Sequence, residues 1–567
     1  PQQTIMSLTH ALNMGSRSLS AQQSGVSTAG HNIANQNTEG FSRQEVSTRA
    51  AQADPTGLGA GAEALPTKRV YDQFLQRKIL QESPRSGRYG VREDVLTKLE
   101  VIFDEMNNNG LRRSMNDFWD SWAQLANHPE SDSARAKARD MGDRLATRFR
   151  DTNAQLRSLR NETNSRIGAT VETINEHARK LQELNRQIFS YEAGGGRHAN
   201  DARDERDRTL ESLSKLVDLN WVEGKDGMLT VFIGRDWTLV QGNKANELVA
   251  SLKGGEIGMY RVEGKLSRES RRDITEIFRA GEMQELTEVR DKTIVKYMDD
   301  LNDLAFGLTS KINQLHATGT GLKSASNMMK SAYGLNAEAR LQPLPFLKDG
   351  IFQLHLVDRE NEFVETYEIE IQAGRDTLND IVQRINQTVN APELLYASVE
   401  EDGSMFIQTG TDYKFIFGDD KTDLTQVLGF NSFFETLKGA EDLRLSDRIM
   451  LDPNTISTGR DLYPGDNRVA LDIAKLQTDP HMRNDTMTFD EFYNTILADL
   501  GLRIQRNQTE KAQQDSLVNQ FSQIRSSISG VNMDEELAKM MQYQKAYEAS
   551  ARFVGTVDQM MDTLVRM

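Results

Sequence analysis

Residues 145–188 read LATRFRDTNAQLRSLRNETNSRIGATVETINEHARKLQELNRQI, and this stretch decides the fold. Its apolar and small residues recur at intervals of three and four, at Leu145, Phe149, Thr152, Leu156, Leu159, Thr163, Ile167, Thr170, Ile174, His177, Leu181, Leu184 and Ile188. That spacing places them on one stripe of a helix that can supercoil with a neighbour. Such a helix would be roughly 65 Å long at about 1.5 Å per residue. The sequence therefore predicts a mainly helical body, in which Gly194-Gly195-Gly196 ends the longest helix.

The flanking regions indicate further elements. Helical spacing continues in residues 201–216 and 271–332, whereas 217–266 holds short β-prone runs bounded by glycines. Residues 345–440 alternate strand-like and helix-like patterns, as a separate α+β domain would. We therefore expect a mainly α fold with α+β insertions. With proline positions as borders, the predicted domains are a terminal coiled-coil domain (1–65 with 505–567), a helical body with a small β insertion near 217–266 (66–342 with 454–504) and the α+β domain (343–453).

Both ends of the chain carry a seven-residue apolar repeat. At the N-terminal end, Ile5, Leu12, Leu19, Val26 and Ile33 form the repeat, and residues 1–38 contain one charged side chain, Arg17, in a chain that is 27% charged. A flexible polar tail has no reason to keep such a repeat, which favours a packed helix. After a break at 530–533, a second stripe follows, with Leu537, Met540, Gln544, Tyr547, Ala551, Val554, Asp558 and Met561. These coiled-coil-like helices can pair with each other, with neighbouring chains, or both.

Composition excludes several classes of function. The net charge is −16, so generic binding to nucleic acid or to an anionic membrane is not expected. With no cysteine, the chain has no disulfide, thiolate metal site or Cys nucleophile. No apolar run is long enough to span a membrane, and the first basic residue, Arg17, is not followed by a cleavable signal sequence. We expect no cofactor and no metal.

The search for catalytic residues gives little. The eight histidines never adopt a metal-ligand spacing. Carboxylates cluster at Asp201, Asp204, Glu205 and Asp207, but Arg203, Arg206 and Arg208 are interleaved with them. This pattern predicts a solvated, salt-bridged helix face. An acid pair of the glycosidase kind stays open, yet we expect the protein not to be an enzyme.

Two motifs, one at each end, carry a resemblance. Ala34, Asn35, Thr38, Gly40 and Phe41 resemble the N-terminal signature of bacterial flagellar rod, hook and hook-associated proteins. Gly530–Leu537 and Gln544–Arg552 are similar to the matching C-terminal signature. Local chemistry agrees, because Asn, Thr and Gly end a helix and Phe41 can anchor the exit, while Asn532 can cap the next helix.

Within this family, residues 200–214 and 464–477 resemble the hook–filament junction member rather than the β-rich hook protein. The resemblance implies that the terminal helices form an inner tube, that the body lies outside it, and that the α+β domain is outermost. It also implies export by the flagellar type III apparatus to an extracellular flagellum. The implied partners are further copies of the chain in a ring or helical stack, hook protein, hook-associated protein 3, and an export chaperone at the C-terminal helix.

The expected assembly interface follows from the stripes and motifs together. Its residues are Ile5, Leu12, Leu19, Val26, Ile33, Asn35, Thr38, Gly40, Phe41, Asn532, Met540, Gln544, Tyr547, Val554 and Met561. Three alternatives stay open: another flagellar axial protein of the hook-associated protein 3 or hook and rod type, a hydrolase carried on a flagellar scaffold, and a cytosolic coiled-coil scaffold.

Overall fold

A computed structural model of the 567-residue chain describes residues 2–52, 59–103, 110–195, 197–234, 236–252, 259–265, 271–323, 325–334 and 347–566, with side chains from residue 7 onward. The α-helices of these ranges are α1 (Gln2–Ala34), α2 (Gln73–Ile102), α3 (Leu111–Asn127), α4 (Asp132–Glu192), α5 (Asn200–Leu216), α6 (Glu282–Glu288), α7 (Ile294–Ala317), α8 (Leu378–Val389), α9 (Leu424–Leu428), α10 (Asp447–Leu451), α11 (Arg468–Lys475), α12 (Phe489–Ser529) and α13 (Met533–Arg566). The long helices at both ends and in the body confirm the predicted fold class.

The strands are short and pair antiparallel. They are β1 (Gln44–Glu45), β2 (Thr48–Ala50), β3 (Ala62–Ala64), β4 (Lys68–Arg69), β5 (Leu219–Glu223), β6 (Leu229–Ile233), β7 (Trp237–Gln241), β8 (Lys244–Ala245), β9 (Leu248–Leu252), β10 (Tyr260–Lys265), β11 (Arg271–Asp273), β12 (Met328–Lys330), β13 (Gly350–Asp358), β14 (Phe363–Ile371), β15 (Leu395–Val399), β16 (Met405–Thr409), β17 (Tyr413–Asp420), β18 (Phe434–Glu435) and β19 (Arg444–Leu445). The small β insertion and the α+β domain are therefore present as predicted.

The chain forms two compact units. Unit 1 comprises residues 1–95, 161–291 and 505–567, and unit 2 comprises residues 96–160 and 292–504. Helices α2, α4 and α12 contribute residues to both. The finer division into three domains stays a prediction.

Helix α4 confirms the predicted long helix and extends it to 61 residues. Most of the stripe is buried, including Leu145, Phe149 and Ile188. Two positions differ, because Val171 and Ala178 are fully buried while their neighbours Thr170 and His177 are half-buried. An α-helix has about 3.6 residues per turn, so a strict 3.5-residue stripe drifts by one position over several turns.

Buried asparagines fasten the β insertion of unit 1 to α4. Asn185 donates Nδ2–H to Leu229 O (2.8 Å) and accepts from Leu229 N (3.0 Å), which holds β6. Asn175 holds Leu248 of β9 in the same two-way manner, at 2.9 Å for each bond. A side-chain amide that serves both the N–H and the C=O of a strand satisfies groups that would otherwise be orphaned in the core. The sheets β5-β6-β7-β8 and β9-β10-β11 are positioned by this helix.

The helix predicted for 271–332 is wrong at both of its ends. Residues 271–273 pair with β10 as β11, and the first α-helical turn starts after Gly281, whose φ is +92°. Beyond Ala317, Thr320 N donates to Gly459 O (2.7 Å), and β12 pairs with β16. Backbone pairing with distant segments overrode the local helical spacing there.

Helix α2 was not predicted, because Pro84 lies inside it. Proline removes one bond of the helical ladder. Directly before the proline, Ser83 Oγ donates to Ile79 O at 2.8 Å, and both residues are buried. Burial of the surrounding face therefore outweighs the helix-breaking residue.

The α+β region of unit 2 has its own closed core. Sheet β14-β13-β17, sheet β12-β16-β15 and helix α8 enclose it, with Leu354 and Ile381 fully buried. Helix α8 begins with a capping box formed by Thr377 and Asp380. We call residues 347–430 the outer domain. Strand β12 also belongs to its sheets, although it precedes the predicted boundary at 343.

Candidate functional site: the paired terminal helices

Helices α1 and α13 pack side by side and antiparallel. Gly15 lies against Val554, Ser18 against Ser550, and Gly25 against Tyr543, so positions rise along α1 as they fall along α13. A Cβ built on Gly15 would lie 2.5 Å from Val554 Cγ2, and one on Gly25 would lie 2.6 Å from Tyr543 Cδ1. Both glycines are therefore required by close packing rather than by backbone conformation.

The face of α1 that is fully buried consists of small and amide residues. They are Gly15, Ala21, Gly25, Ala29 and Asn32. The predicted apolar stripe lies beside this face, with Leu12, Leu19, Val26 and Ile33 half-buried, and the side chain of Ile5 lies outside the described residues. The stripe is thus present on α1, but α13 covers it only in part.

The stripe predicted for α13 is partly displaced. Met540, Val554 and Met561 are half-buried, whereas Gln544 and Tyr547 are exposed. The side chains that turn toward α1 include Tyr543, Ser550 and Val557. A heptad repeat on α13 can be placed at either of two adjacent positions. The small residues of α1 decide which of the two packs against α1.

Large apolar side chains remain exposed on the C-terminal helix. Met541 is 57% exposed, Met560 55% and Val565 81%. These three side chains lie at positions of α13 that the rest of the described chain does not cover.

The N-terminal signature forms the turn that the sequence predicts. Asn35 Nδ2 donates to His31 O (3.0 Å), and Thr38 Oγ1 donates to Asn35 Oδ1 (3.2 Å), so the end of α1 is capped by its own side chains. Gly40 has φ +73°, and a Cβ there would lie 2.4 Å from Arg208 Cγ. Phe41 packs edge-on against the ring of His31 at 5.5 Å between centroids. These contacts confirm the helix-ending role of the motif.

The C-terminal signature forms the joint between α12 and α13. Asn532 Oδ1 accepts from Asp534 N at 3.1 Å and caps α13, as predicted. An acidic first turn follows, which suits the positive end of the helix dipole. Across this joint, Ser529 O accepts from Arg43 N at 2.7 Å, which ties it to the chain that leaves the N-terminal signature.

A buried polar contact joins the two signatures, and sequence reasoning missed it. Asn32 Nδ2 donates to Glu536 Oε2 (2.8 Å) and to Gln44 O (2.8 Å), while its Oδ1 accepts from Gln44 N (2.9 Å). Glu536 is 2% exposed and pairs with Lys539 at 2.9 Å. A buried polar pair of this kind can fix the register of two helices. One signal for this contact was present in the sequence. Asn32 continues the face of α1 that holds Gly25 and Ala29, so a polar side chain lies where a buried one is expected.

Helix α5 supports the N-terminal signature, and here the predicted solvated helix face is wrong. Asp204 and Arg206 are only 2% and 1% exposed. Asp204 accepts from Ser42 N (2.9 Å) and from Arg69 Nη1 (2.8 Å), so it holds the chain that follows Phe41. Of the ion pairs predicted within the helix, Glu205 with Arg208 forms, whereas Asp204 pairs with Arg69 and Arg206 with Glu223. The chain after α1 folds over this face and removes it from water.

Burial also shifts one carboxyl of this cluster. Burial raises the pKa of Asp207, while the nearby Arg69 guanidinium at 2.6 Å opposes the rise.

Among the described residues, no three His, Asp or Glu side chains are placed to bind a metal ion. In the same part of the chain, no helix has the length and hydropathy to cross a membrane.

Comparisons with known proteins bear on this site. Residues 96–328 match the family described as flagellar hook-associated protein FlgK helical domain, and residues 523–567 match the C-terminal domain of flagellar basal body rod FlgEFG proteins. Flagellar hook-associated protein 1 of Escherichia coli is 24% identical, over 98% of this chain and 99% of that protein. Its namesake in Bacillus subtilis is 23% identical, over 98% and 97%.

A solved structure shares the fold. The flagellar hook junction protein FlgK from Burkholderia pseudomallei superposes with a TM-score of 0.56 and 14% identity, over 80% of this chain and 100% of that one. The C-terminal family match spans α13 and the joint that precedes it. The resemblance indicated by the two terminal motifs is confirmed.

Proposed function

We propose that the chain, which is similar to flagellar hook-associated protein 1 over almost its whole length, is a structural axial component of the bacterial flagellum. In this proposal it joins hook to filament and polymerises through its terminal helices. The role is mechanical rather than enzymatic.

The observation that carries the proposal is the incomplete burial of the α1–α13 pair. The two helices cover the small residues of α1 completely, but leave Leu12, Leu19 and Val26 half-buried and Met541 exposed. A second copy of the chain that packs on this helix pair would cover these side chains. The free energy of association would gain about 25 cal/mol for each Å² of apolar surface removed from water. Contacts of one face with a different face of the next copy generate rings or helical stacks.

The interface proposed from sequence keeps its members, with roles that the contacts support. The stripe residues Leu12, Leu19, Val26, Met540, Val554 and Met561 would be covered by neighbouring copies. Asn35, Thr38, Gly40, Phe41 and Asn532 would instead shape the turn and the joint that present the two helices. Exposed Tyr547 and Gln544 would contact a neighbour directly.

The resemblance implies the partners, and the exposed apolar side chains of α13 support them. We infer contacts with further copies, with hook protein and with hook-associated protein 3, and export through the flagellar type III apparatus to an extracellular position. A chaperone that binds the C-terminal helix during export would cover the apolar side chains that α1 leaves exposed, such as Met560.

Cells that lack the chain test the proposal. Electron microscopy should show hooks without attached filaments, and the intact gene should restore filaments.

A variant without α1 and α13 (residues 1–34 and 533–567) should be exported poorly or not assembled. The Val26→Asp variant, in contrast, should be folded but fail to support filaments, since a buried unpaired charge is costly only once a neighbour covers it. The matched control is Gln23→Asp on the exposed side of α1. Normal filaments in the cells that lack the chain would refute the proposal.

A further inference from the structure

Unit 1 contains a basic cleft that the terminal helices do not use. It has a volume of about 810 Å³ and is lined by Lys68, Arg69, Arg77, Arg203 and Arg206, with Asp207 and Glu223 as its acidic members. We call it the basic cleft. An excess of cations in one cleft stands out in a chain of net charge −16, and such a site attracts carboxylates.

Two of the five cations of the basic cleft lack an ion-pair partner among the residues that the structure describes, whereas Arg69, Arg203 and Arg206 are paired with carboxylates. Lys68 and Arg77 are exposed and form no ion pair within the described part of the chain. Arg206 is 1% exposed, and its Nη1 donates to Gly227 O at 2.7 Å. Its Nε–H, in contrast, has no hydrogen-bond partner among the described residues. This Nε is buried, and Arg206 Nη2 pairs with Glu223 Oε1 at 3.2 Å, so the cations of the cleft that are open to a second molecule are Lys68 and Arg77. Each can form a charge-assisted hydrogen bond with a carboxylate.

Apolar surface accompanies the charge. Tyr71 and Trp221 line the basic cleft, and Val222 beside them is 64% exposed. The volume is at the upper part of the range of about 300–1,000 Å³ that is typical of binding pockets. The cleft can therefore receive a short segment that carries both carboxylates and an apolar side chain.

The chain itself presents such a segment. The turn between β13 and β14 exposes Glu360 and Glu362, and neither has an ion-pair partner in the ranges that the structure covers. The turn is rigid, because Asp358 Oδ1 accepts from Glu360 N (2.8 Å) and from Glu362 N (2.9 Å). Phe363 follows and is 53% exposed. Arg359 in the same turn pairs with Asp412 at 2.5 Å, which leaves the two glutamates as the unpaired charges within the described ranges. We call residues 359–363 the acidic tip.

The charge of the whole outer domain agrees with this assignment. Residues 347–430 contain 17 acidic and 6 basic residues, so their net charge is −11. Most of the excess negative charge of the chain is thus carried by the domain that presents the acidic tip.

We propose that the acidic tip of one copy binds in the basic cleft of a second copy. Glu360 and Glu362 would pair with Lys68 and Arg77, and Phe363 would lie against Trp221. The inference rests on the proposed function, because the contact joins two different surfaces and so extends an assembly rather than closing a dimer.

Cysteine cross-linking tests the contact directly, since the chain has no cysteine of its own. Flagella are isolated from cells that co-express Lys68→Cys and Glu360→Cys variants, and mild oxidation should give a disulfide-linked pair of chains, identified by mass spectrometry. Glu401→Cys, on another exposed acidic turn of the outer domain, is the matched control and should not cross-link with Lys68→Cys.

Charge reversal gives the second readout. Here the cysteine variants are Trp221→Cys and Phe363→Cys, at positions that the proposed contact also brings together. Glu360→Lys with Glu362→Lys should lower the yield of this cross-link by about tenfold, because like charges would face each other. Adding Lys68→Glu and Arg77→Glu to the same chain should restore the yield.

The outcomes separate the inference from the proposed function. Filaments that attach normally, with no cross-link and no effect of reversal, would overturn the contact but leave the axial role intact. Loss of assembly with the cleft variants alone, and no effect of the tip variants, would show that another partner occupies the cleft and would also overturn the inference.

Discussion

The terminal helix pair and the outer domain differ in how completely they bury their apolar side chains. The outer domain encloses 19 buried residues in one core, among them Leu354, Ile369 and Phe415. In α1 and α13, the fully buried apolar residues of the described part are Ala21, Ala29 and Val557. The first region is closed within the chain, whereas the second leaves its largest apolar side chains only partly covered.

Charge divides the same two regions. The first 38 residues carry one charged side chain, Arg17, whereas the outer domain has a net charge of −11. Charge keeps a surface in water, and its absence allows a helix to be covered on several sides. The difference teaches that closed burial and partly covered apolar surface reside in different segments, so that substitutions can change one without the other.

The largest expected effect is a core substitution in the outer domain. Leu354→Ala should lower the free energy of opening of β13 and α8 by about 2–5 kcal/mol, because a fully buried leucine leaves a cavity. Leu19→Ala on α1 is the matched change and should cost about 1 kcal/mol or less, since Leu19 is half-buried. Hydrogen exchange read by mass spectrometry measures both regions in one sample. Equal losses at the two sites would contradict the comparison.

The next effect sharpens the account of the helix pair. Gly25→Ala should weaken the packing of α1 on α13 by about 1–3 kcal/mol, because its Cβ would overlap the ring of Tyr543. Gly30→Ala on the same helix meets nothing within 4 Å and should instead stabilise α1 by about 0.5–1 kcal/mol. Amide exchange across residues 2–34 gives the sign of each change. If both variants stabilised α1, the close approach of the helices would be wrong.

A smaller loss is expected at the polar contact between the signatures. Asn32→Ala should cost about 1–2 kcal/mol, because Glu536 stays buried without its amide partner and Gln44 loses two bonds. The control is Asn37→Ala, which changes an exposed amide. Faster exchange at the joint, in residues 529–540, should accompany Asn32→Ala alone. An unchanged joint would show that the register of the pair is set by the small residues.

The smallest effect is a pH dependence confined to the outer domain. A hydrogen bond from Arg384 lowers the pKa of Asp376 below its ordinary value of 3.8. The folded form therefore binds fewer protons than the unfolded form, so the contribution is present above pH 4 and is lost as the pH falls through the lowered pKa. Asp376→Asn should remove this part of the acid dependence, at a cost of about 1 kcal/mol near neutral pH. Melting temperatures between pH 2.5 and 7 measure it, and an identical pH profile for the variant would exclude this carboxylate as its source.

Periodicity was sufficient for the elements that bury a continuous stripe. Helix α4, both terminal helices, the break at Gly530 and the alternating strands of the outer domain were all predicted, because each repeats a local pattern over several turns or residues. Local patterns failed where a distant partner intervened. Helix α2 tolerates Pro84, and residues 271–273 became a strand because β10 offers them backbone partners.

The two ends of the chain show what the sequence determined by itself. The almost uncharged first helix, its seven-residue repeat and the helix-ending motif at Asn35–Phe41 depend on residues close in sequence, so they could be read directly. The family resemblance followed from the same short segments.

Only the tertiary structure decided which faces meet. Val554 keeps its predicted place and lies against Gly15, but Tyr543, rather than the predicted Gln544, lies against Gly25. The pairing of Asn32 with Glu536 joins residues 504 positions apart, and the burial of Asp204 depends on a loop 162 positions away. Spacing along a chain fixes which side chains share a face, but burial is a property of two surfaces, and the second surface is supplied only when the chain folds.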